Sequence, residues 1–319
     1  MRFFLIGIVV LAGVLTASAD SLCVVSYNVE NLFHPENDSL TNDDEWTADG
    51  ERHWSFARYN RKVENIAKVL TNIGEWSGVD VVGLQEIENA AVVKKLCYTL
   101  RRGEYGFVHY DSPDRRGIDV ALIYKKSRVD TLSSRAIRVL IPRERLSQHS
   151  AFSTRDILYV SALVDKKDTI HFFVCHFPSQ RGGAAESAWK REAAKATLQQ
   201  AVDSVLATNK DAHIIVMGDM NSEGLEIREL VDKIANSQQL TANSQNGTHK
   251  FQGRWSFLDH FYVSPSINEV STARIYDAQW IQESDEKYMG LKPKRTYNGF
   301  TYQNGYSDHL PIVLTVCLF

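Results

Sequence analysis

Strand-length apolar runs recur along the whole chain, and most of them begin or end on an acid, an amide or an imidazole. They are LCVVSYNV (22–29), DVVGLQEI (80–87), DVALIYK (119–125), ILYVSALV (157–164), TIHFFVCHF (169–177), HIIVMGDM (213–220), DHFYVS (259–264) and LPIVLTVCL (310–318). Several have no polar face, so both sides of the sheet they enter must be covered. Helical patterns lie between them. Residues 58–75 place Val63, Ile66, Ala67, Leu70 and Ile73 at spacings of three and four, and residues 184–206 are read with Trp189, Leu198, Val202 and Val205 on one face. Strands and helices alternate irregularly, which predicts an α+β chain with two packed sheets rather than a regular doubly wound fold. No repeat and no linker-like run interrupts residues 20–319, so a single domain is expected there.

The N-terminus has a separate reading. Arg2, an apolar segment from Phe3 to Leu15 and the small residues Ala17, Ser18 and Ala19 predict a signal peptide over residues 1–19. The segment is too short to span a bilayer, which takes about 20 apolar residues. The expectation is an exported chain, periplasmic or extracellular, with no stable membrane anchor and monomeric. Cysteines stand at 23, 97, 175 and 317, and export permits them to pair. Cys23 and Cys317, in the first and last predicted strands, form the candidate pair.

The formal charge of −3 lacks the basic excess common in nucleic-acid binders. Any phosphate contacts must therefore be local. Arg115, Arg116 and Arg181 are candidates, as is the run Lys292, Lys294 and Arg295, although each singly reads as a solvated loop charge. Arg116 stands close enough to Asp119 in sequence to reach a phosphate near it.

Polar residues collect at strand ends: Asn28 and Glu30, Glu86, His176, Asp219 and Asn221, with Asp119, Asp259, Asp308 and His309 at strand starts. Strand ends on one side of a layered fold share a rim. Carboxylates meeting there repel by roughly 4 kcal/mol at about 4 Å and an effective dielectric of 20. A cation resolves this. Oxygen donors such as Glu86, Asp308 and the Asn28 amide suit magnesium first, with manganese or calcium possible, rather than zinc.

The motifs SYNVENL, GLQEIEN, RGIDVALIY, CHFPS, GDMNS, WSFLDHFYVS and YSDHLP stand in an order that resembles the endonuclease/exonuclease/phosphatase superfamily, and they cover almost all of the chain after residue 20. The resemblance implies a four-layered α/β sandwich, two packed and mainly antiparallel sheets flanked by helices, that hydrolyses phosphoesters with a divalent metal. It implies Asn28 and Glu86 as the metal-holding pair with Asp308 adding to the site. Asp219 would orient and deprotonate water, and Asn221 would hold the phosphate. His309 would hydrogen-bond a phosphate oxygen, with Asp259 fixing its tautomer and raising its pKa. His176 matches a second histidine and Asp119 its carboxylate partner, with protonation of the leaving oxygen shared between His176 and a water on the ion.

The polar, aromatic stretch 43–60 is expected to overhang the site, where Arg52 or His53 could touch substrate. Ser222, Glu223 and Gly224 after GDMN, and WSFLDH where inositol 5-phosphatases carry PAWCDR-like residues, argue against that branch. No exposed apolar run of the kind secreted sphingomyelinases present to membranes is found. The reading is an exported nuclease-type phosphodiesterase cutting DNA, with an exported phosphatase or lipid phosphodiesterase as the alternative. An inactive binding module would have lost Asp219 or His309, and both are present.

Overall fold

A computed structural model describes residues 21–142, 145, 153–180, 182–234 and 247–317. The signal peptide read at residues 1–19 lies outside the described residues, as does Arg181.

The first sheet is built from β1 (Ser21–Leu32), β2 (Val81–Ile87), β3 (Tyr105–His109), β4 (Asp119–Lys125), β13 (Ser271–Ile275) and β18 (Ile312–Cys317), in the order β13-β18-β1-β2-β4-β3. The second has the order β5-β6-β7-β8-β12-β9. Its strands are β5 (Val129–Ile137), β6 (Ile157–Val164), β7 (Asp168–His176), β8 (His213–Asp219), β9 (Val231–Asp232) and β12 (Asp259–Val263). Three small hairpins complete the strand set: β10 (His249–Phe251) with β11 (Arg254–Ser256), β14 (Gln282–Ser284) with β15 (Leu291–Pro293), and β16 (Tyr297–Asn298) with β17 (Thr301–Tyr302).

Within each sheet one pair is parallel, β1 with β2 and β7 with β8, and the other pairs are antiparallel. A parallel pair needs a crossover. Helix α1 (Phe56–Gly74) lies in the first, α2 (Ala90–Leu100) follows β2, and α3 (Ala184–Thr208) lies in the second.

Alternation along the strands builds the layers. In β1, Leu22 and Val24 enter the core between the sheets, while Val25, Tyr27 and Val29 pack under α1 and α2. In β8, Ile215 and Met217 face the other sheet, and Ile214 and Val216 lie under α3. The result is helix, sheet, sheet, helix, and runs apolar on both faces are what its inner layers require.

Helix α1 starts where the Ser55 side chain accepts from the Arg58 amide, and it buries Val63, Ile66, Ala67, Leu70 and Ile73 as their spacing predicts. For α3 one assignment is corrected. Leu198, Val202 and Val205 are buried, but Trp189 is only half-buried and outside the core. Nine residues separate it from Leu198, two and a half turns at 3.6 residues per turn, which puts it on the opposite face.

The cysteine pairing is also corrected, because all four thiols are free. Strands β1 and β18 are neighbours, but Cys23 faces Thr315 and Cys317 faces Ser21. That diagonal spans about 7–8 Å, beyond ordinary disulfide geometry. No helix among the described residues is long and apolar enough to cross a membrane.

Candidate active site

Register sets the centre of the site. Asp219, at the end of β8, lies opposite His176 at the end of β7 and Asp259 at the start of β12. From the first sheet β1 supplies Asn28, whose amide nitrogen donates to Asp219 Oδ2 at 3.1 Å. The loop before β18 supplies His309, whose Nε2 stands 3.9 Å from the same oxygen. His176 Nε2 is 3.6 Å from it and 3.8 Å from Glu86 Oε1. Ser307 ties this loop to β1 by donating to the Asn28 carbonyl at 2.7 Å and accepting the His309 amide at 3.1 Å.

Backbone irregularity aims several of these side chains. Gln85 pairs with Val120 and Ile87 with Asp119, so Glu86 is a bulged residue with no partner of its own, at φ 63°. Bulges re-aim side chains beside active sites. Glu30, Asn31 and Asn221 also take left-handed φ values of 53°, 52° and 47°. Such strain persists where the surroundings overdetermine it, and it clusters at functional sites.

Electrostatics separate the two histidines. His309 donates from Nδ1 to Asp259 Oδ2 at 2.7 Å. Burial opposes charge on its ring, but Asp259, with Asp219 and Asp308 behind it, outweighs burial and holds the imidazolium well above its ordinary range. His176 is held well below that range by burial, with Arg155 and Arg116 adding, so its ring is neutral. Burial pushes the Asp219 carboxyl up to about 7, with Asp259 and Glu86 adding to the rise and His309 opposing it.

Asp119 is not the partner of His176. Its Oδ2 lies 3.3 Å from His109 Nε2, and its Oδ1 accepts the Ser112 amide at 3.1 Å and the Ser112 hydroxyl. His176 Nδ1 is buried without a hydrogen-bond partner among the described residues. His109, Asp111 and Asp119 bring ligand-type atoms within 4.8 Å of one another. Their geometry is that of an imidazole bridging two acids, since Nε2 faces Asp119 and Nδ1 faces Asp111 at 3.9 Å.

The remaining candidates border a cleft of about 940 Å³, whose lining includes Glu86, Asp219, Asn221, Asp308, His309 and Arg116. The Asn221 amide nitrogen donates to the Phe177 carbonyl at 3.0 Å. Arg116 Nε is 3.7 Å from Asp114 Oδ1, and its side chain is 39% exposed toward solvent. Trp46 and Arg52 of the 43–60 stretch also line the cleft, whereas His53 does not.

Three basic side chains complete the site, and sequence reasoning named only the first of them, as a local phosphate-contact candidate. Arg295 lines the cleft and is no solvated loop charge, since it donates to Asp308 and Glu30. His249 pairs with His309 through a β-bridge, its ring 4.8 Å away, and burial followed by the His309 charge pushes it down to about 4. Lys62 was readable in principle: it shares the apolar face of α1 with Tyr59, Ile66 and Ile73, and it is fully buried.

A two-sheet sandwich with acids, amides and imidazoles from both sheets on one rim defines a phosphoester hydrolase architecture. A profile of the Endonuclease/Exonuclease/phosphatase family matches residues 23–317, and the chain belongs to that family. It is accordingly a hydrolase of phosphoric esters. Among solved structures, truncated TDP2 of Caenorhabditis elegans superposes with a TM-score of 0.60 at 16% identity, covering 94% of this chain and 98% of that one. The human Nocturnin catalytic domain gives 0.55 at 17% over 92% and 93%. A Bacteroides thetaiotaomicron mannosyl-6-phosphatase gives 0.56 at 17% over 93% and 100%. At these identities the likeness is one of fold. Curated protein sequences yield no match.

Proposed function

We propose that the chain is an exported, divalent-metal-dependent phosphodiesterase of nuclease type, acting on DNA. The observation that carries the reading is the pairing of an imidazolium with a carboxyl near its midpoint at neutral pH, His309 and Asp219, over a cleft bordered by uncommitted carboxylate oxygens.

The donor set fits a hard cation. Glu86 Oε2 accepts the Asn31 amide and Asp308 Oδ2 accepts Arg295, which leaves Glu86 Oε1 and Asp308 Oδ1 without a hydrogen bond among the described residues. Oxygen donors of this kind suit magnesium, with manganese or calcium as substitutes. Glu86 and Asp308 would hold the ion. Asn28, whose amide oxygen already accepts the Glu30 amide, would add its second lone pair. When bound, the ion supplies charge stabilisation at a phosphoryl oxygen.

The chain's own residues divide the remaining work. Asp219 orients water in line with phosphorus and takes its proton, a role suited to a carboxyl near 7. Asn221 has one amide hydrogen spent on Phe177 and one for a phosphate oxygen. His309, tautomer fixed by Asp259, turns a charged Nε2–H toward oxygen charge as it builds. His176 is a neutral hydrogen-bonding group in this scheme.

Flat rings favour a nucleic-acid substrate. Phe251 borders the cleft at 65% exposure, and Phe300, 60% exposed, lies against the Arg52 guanidinium at 5.1 Å. Exposed aromatics stack on unpaired bases for about 1–3 kcal/mol each. The net charge of −3 favours the second reading, a phosphatase of small esters. A panel of supercoiled plasmid, single-stranded DNA, RNA and small phosphate esters, with magnesium, manganese, calcium or chelator, separates the two. Plasmid cleavage that stops with chelator and in Asp219→Ala is expected. Inertness on nucleic acids with turnover of a monoester transfers the function to the second reading.

A further inference from the structure

Beneath the cleft lies an ionic chain that the proposed hydrolysis leaves unexplained. Lys62, fully buried in α1, donates to the Thr296 hydroxyl and to the Tyr306 carbonyl at 2.6 Å, with Glu30 Oε2 at 3.8 Å. Glu30, also buried, accepts the Thr296 amide at 2.6 Å and the Tyr297 amide at 3.4 Å. Its Oε1 receives Arg295 Nε at 3.3 Å, and Arg295 Nη2 reaches Asp308 Oδ2 at 2.9 Å. The series runs plus, minus, plus, minus, from the helix layer to the rim.

Buried ion pairs are a poor source of stability, because desolvation costs several kcal/mol per ion. Packing alone would be served by apolar residues. What this series does achieve is to fix one guanidinium. A guanidinium has five N–H donors in a rigid fork. Two are spent, on Glu30 and Asp308, and Nη1 makes no hydrogen bond among the described residues. The end-on edge of Nη1 with the second hydrogen of Nη2 is therefore left over. The side chain is 40% exposed and lines the cleft that holds Asp219 and His309.

Resting on the hydrolytic reading above, we propose that Arg295 is a catalytic residue that grips a nonbridging phosphoryl oxygen through this edge, with Glu30 and Lys62 as positioning residues. A fixed fork matches phosphate geometry, and charge-assisted hydrogen bonds of this type are the strong ones. It places a permanent positive charge beside the proposed ion site, where a flexible lysine would have to be ordered anew.

The test uses Arg295→Met and Arg295→Lys, at a half-exposed position where folding survives, together with Glu30→Gln, which keeps the shape and one acceptor oxygen, for the Thr296 amide. Inorganic phosphate is the probe, its binding followed by calorimetry in magnesium alongside turnover of a diester. Arg295→Met is expected to weaken phosphate binding roughly 10-fold or more and to lower kcat by about 10²-fold, with Arg295→Lys between it and the parent. Glu30→Gln should weaken phosphate binding by about 3-fold, with the magnesium concentration for half-activation unchanged. Phosphate binding within twofold of the parent in Arg295→Met overturns the proposal. So does a half-activating magnesium concentration that rises in step with the lost activity, because Arg295 would then act only by holding Asp308. Failure of the hydrolytic reading is separable: the parent would turn over no phosphoester, while phosphate binding still reports on Arg295.

Discussion

Gly218→Ala is a severe test of how the two halves of the rim are aligned. Gly218 sits in GDMN, at φ 143°, opposite Cys175 in the parallel pair of β7 and β8. A Cβ there would lie 1.9 Å from the Cys175 carbonyl oxygen and 2.8 Å from its carbon. Ordinary C···O contacts begin near 3.3 Å. The strands must part by more than about 1 Å, and both colliding groups are backbone. Overpacking of this kind costs roughly 1–3 kcal/mol, and the positive φ forced on an L-residue adds about 1–3 kcal/mol.

A loss of roughly 2–6 kcal/mol follows, which in a domain of about 300 residues lowers Tm by roughly 3–10 °C. The adjacent residues on the two strands are His176 and Asp219, so the separation is delivered to the site itself. A misplacement of about 1 Å costs on the order of 10²-fold in rate. Thermal denaturation followed by circular dichroism, with kcat on the substrate identified above, measures both. A variant that melts within 2 °C of the parent and keeps a third of its kcat refutes the reasoning, since the close approach would then have no consequence.

Three further outcomes are expected. In chelator at pH 8, Asp219→Asn should melt higher than the parent, and with magnesium restored it should lose about 10³-fold in activity. The folded-state carboxyl titrates near 7, above its unfolded value, so protonation favours the fold and stability falls as pH rises toward 7; a lower Tm at pH 8 would contradict this. Asp119→Asn should cost less than 10-fold in kcat and His176→Gln 10²-fold or more, because Asp119 is spent on His109 and Ser112; equal losses would restore the abandoned pair. Unfolded in denaturant without reductant, the chain should react with four equivalents of a thiol reagent; two equivalents would mean that a disulfide forms after all.

The inner strands were legible because burial on both faces writes itself into composition: 119–125 and 157–164 coincide with β4 and β6 to the residue. Strand β5 was not, since residues 130–133 are exposed and its sequence reads as a polar connection. Helix α2 escaped because β-branched Val92 and Val93 weaken the helical signal, although Asn89 caps it with two hydrogen bonds. At the site, residues at strand ends were found because register alone brings them together. Partner choice was not. Asp119 has histidines at 109 and 176 available to it, and only β3 pairing with β4 decides for the first. Arg295 and Lys292 look equivalent in a loop until the fold sets one against Glu30 and the other against Glu283.

The pairing of β1 with β18 has a further implication for how the molecule matures. Until residues 312–317 join the sheet, β1 has one flank unmatched, and the partner it awaits is nearly three hundred positions away. Contacts of such separation form slowly, and an open apolar edge invites association with other chains. Asp308 and His309 arrive on that same closing segment. Hydrolysis should therefore switch on only when β18 docks, making the first turnover a timer for closure of the first sheet.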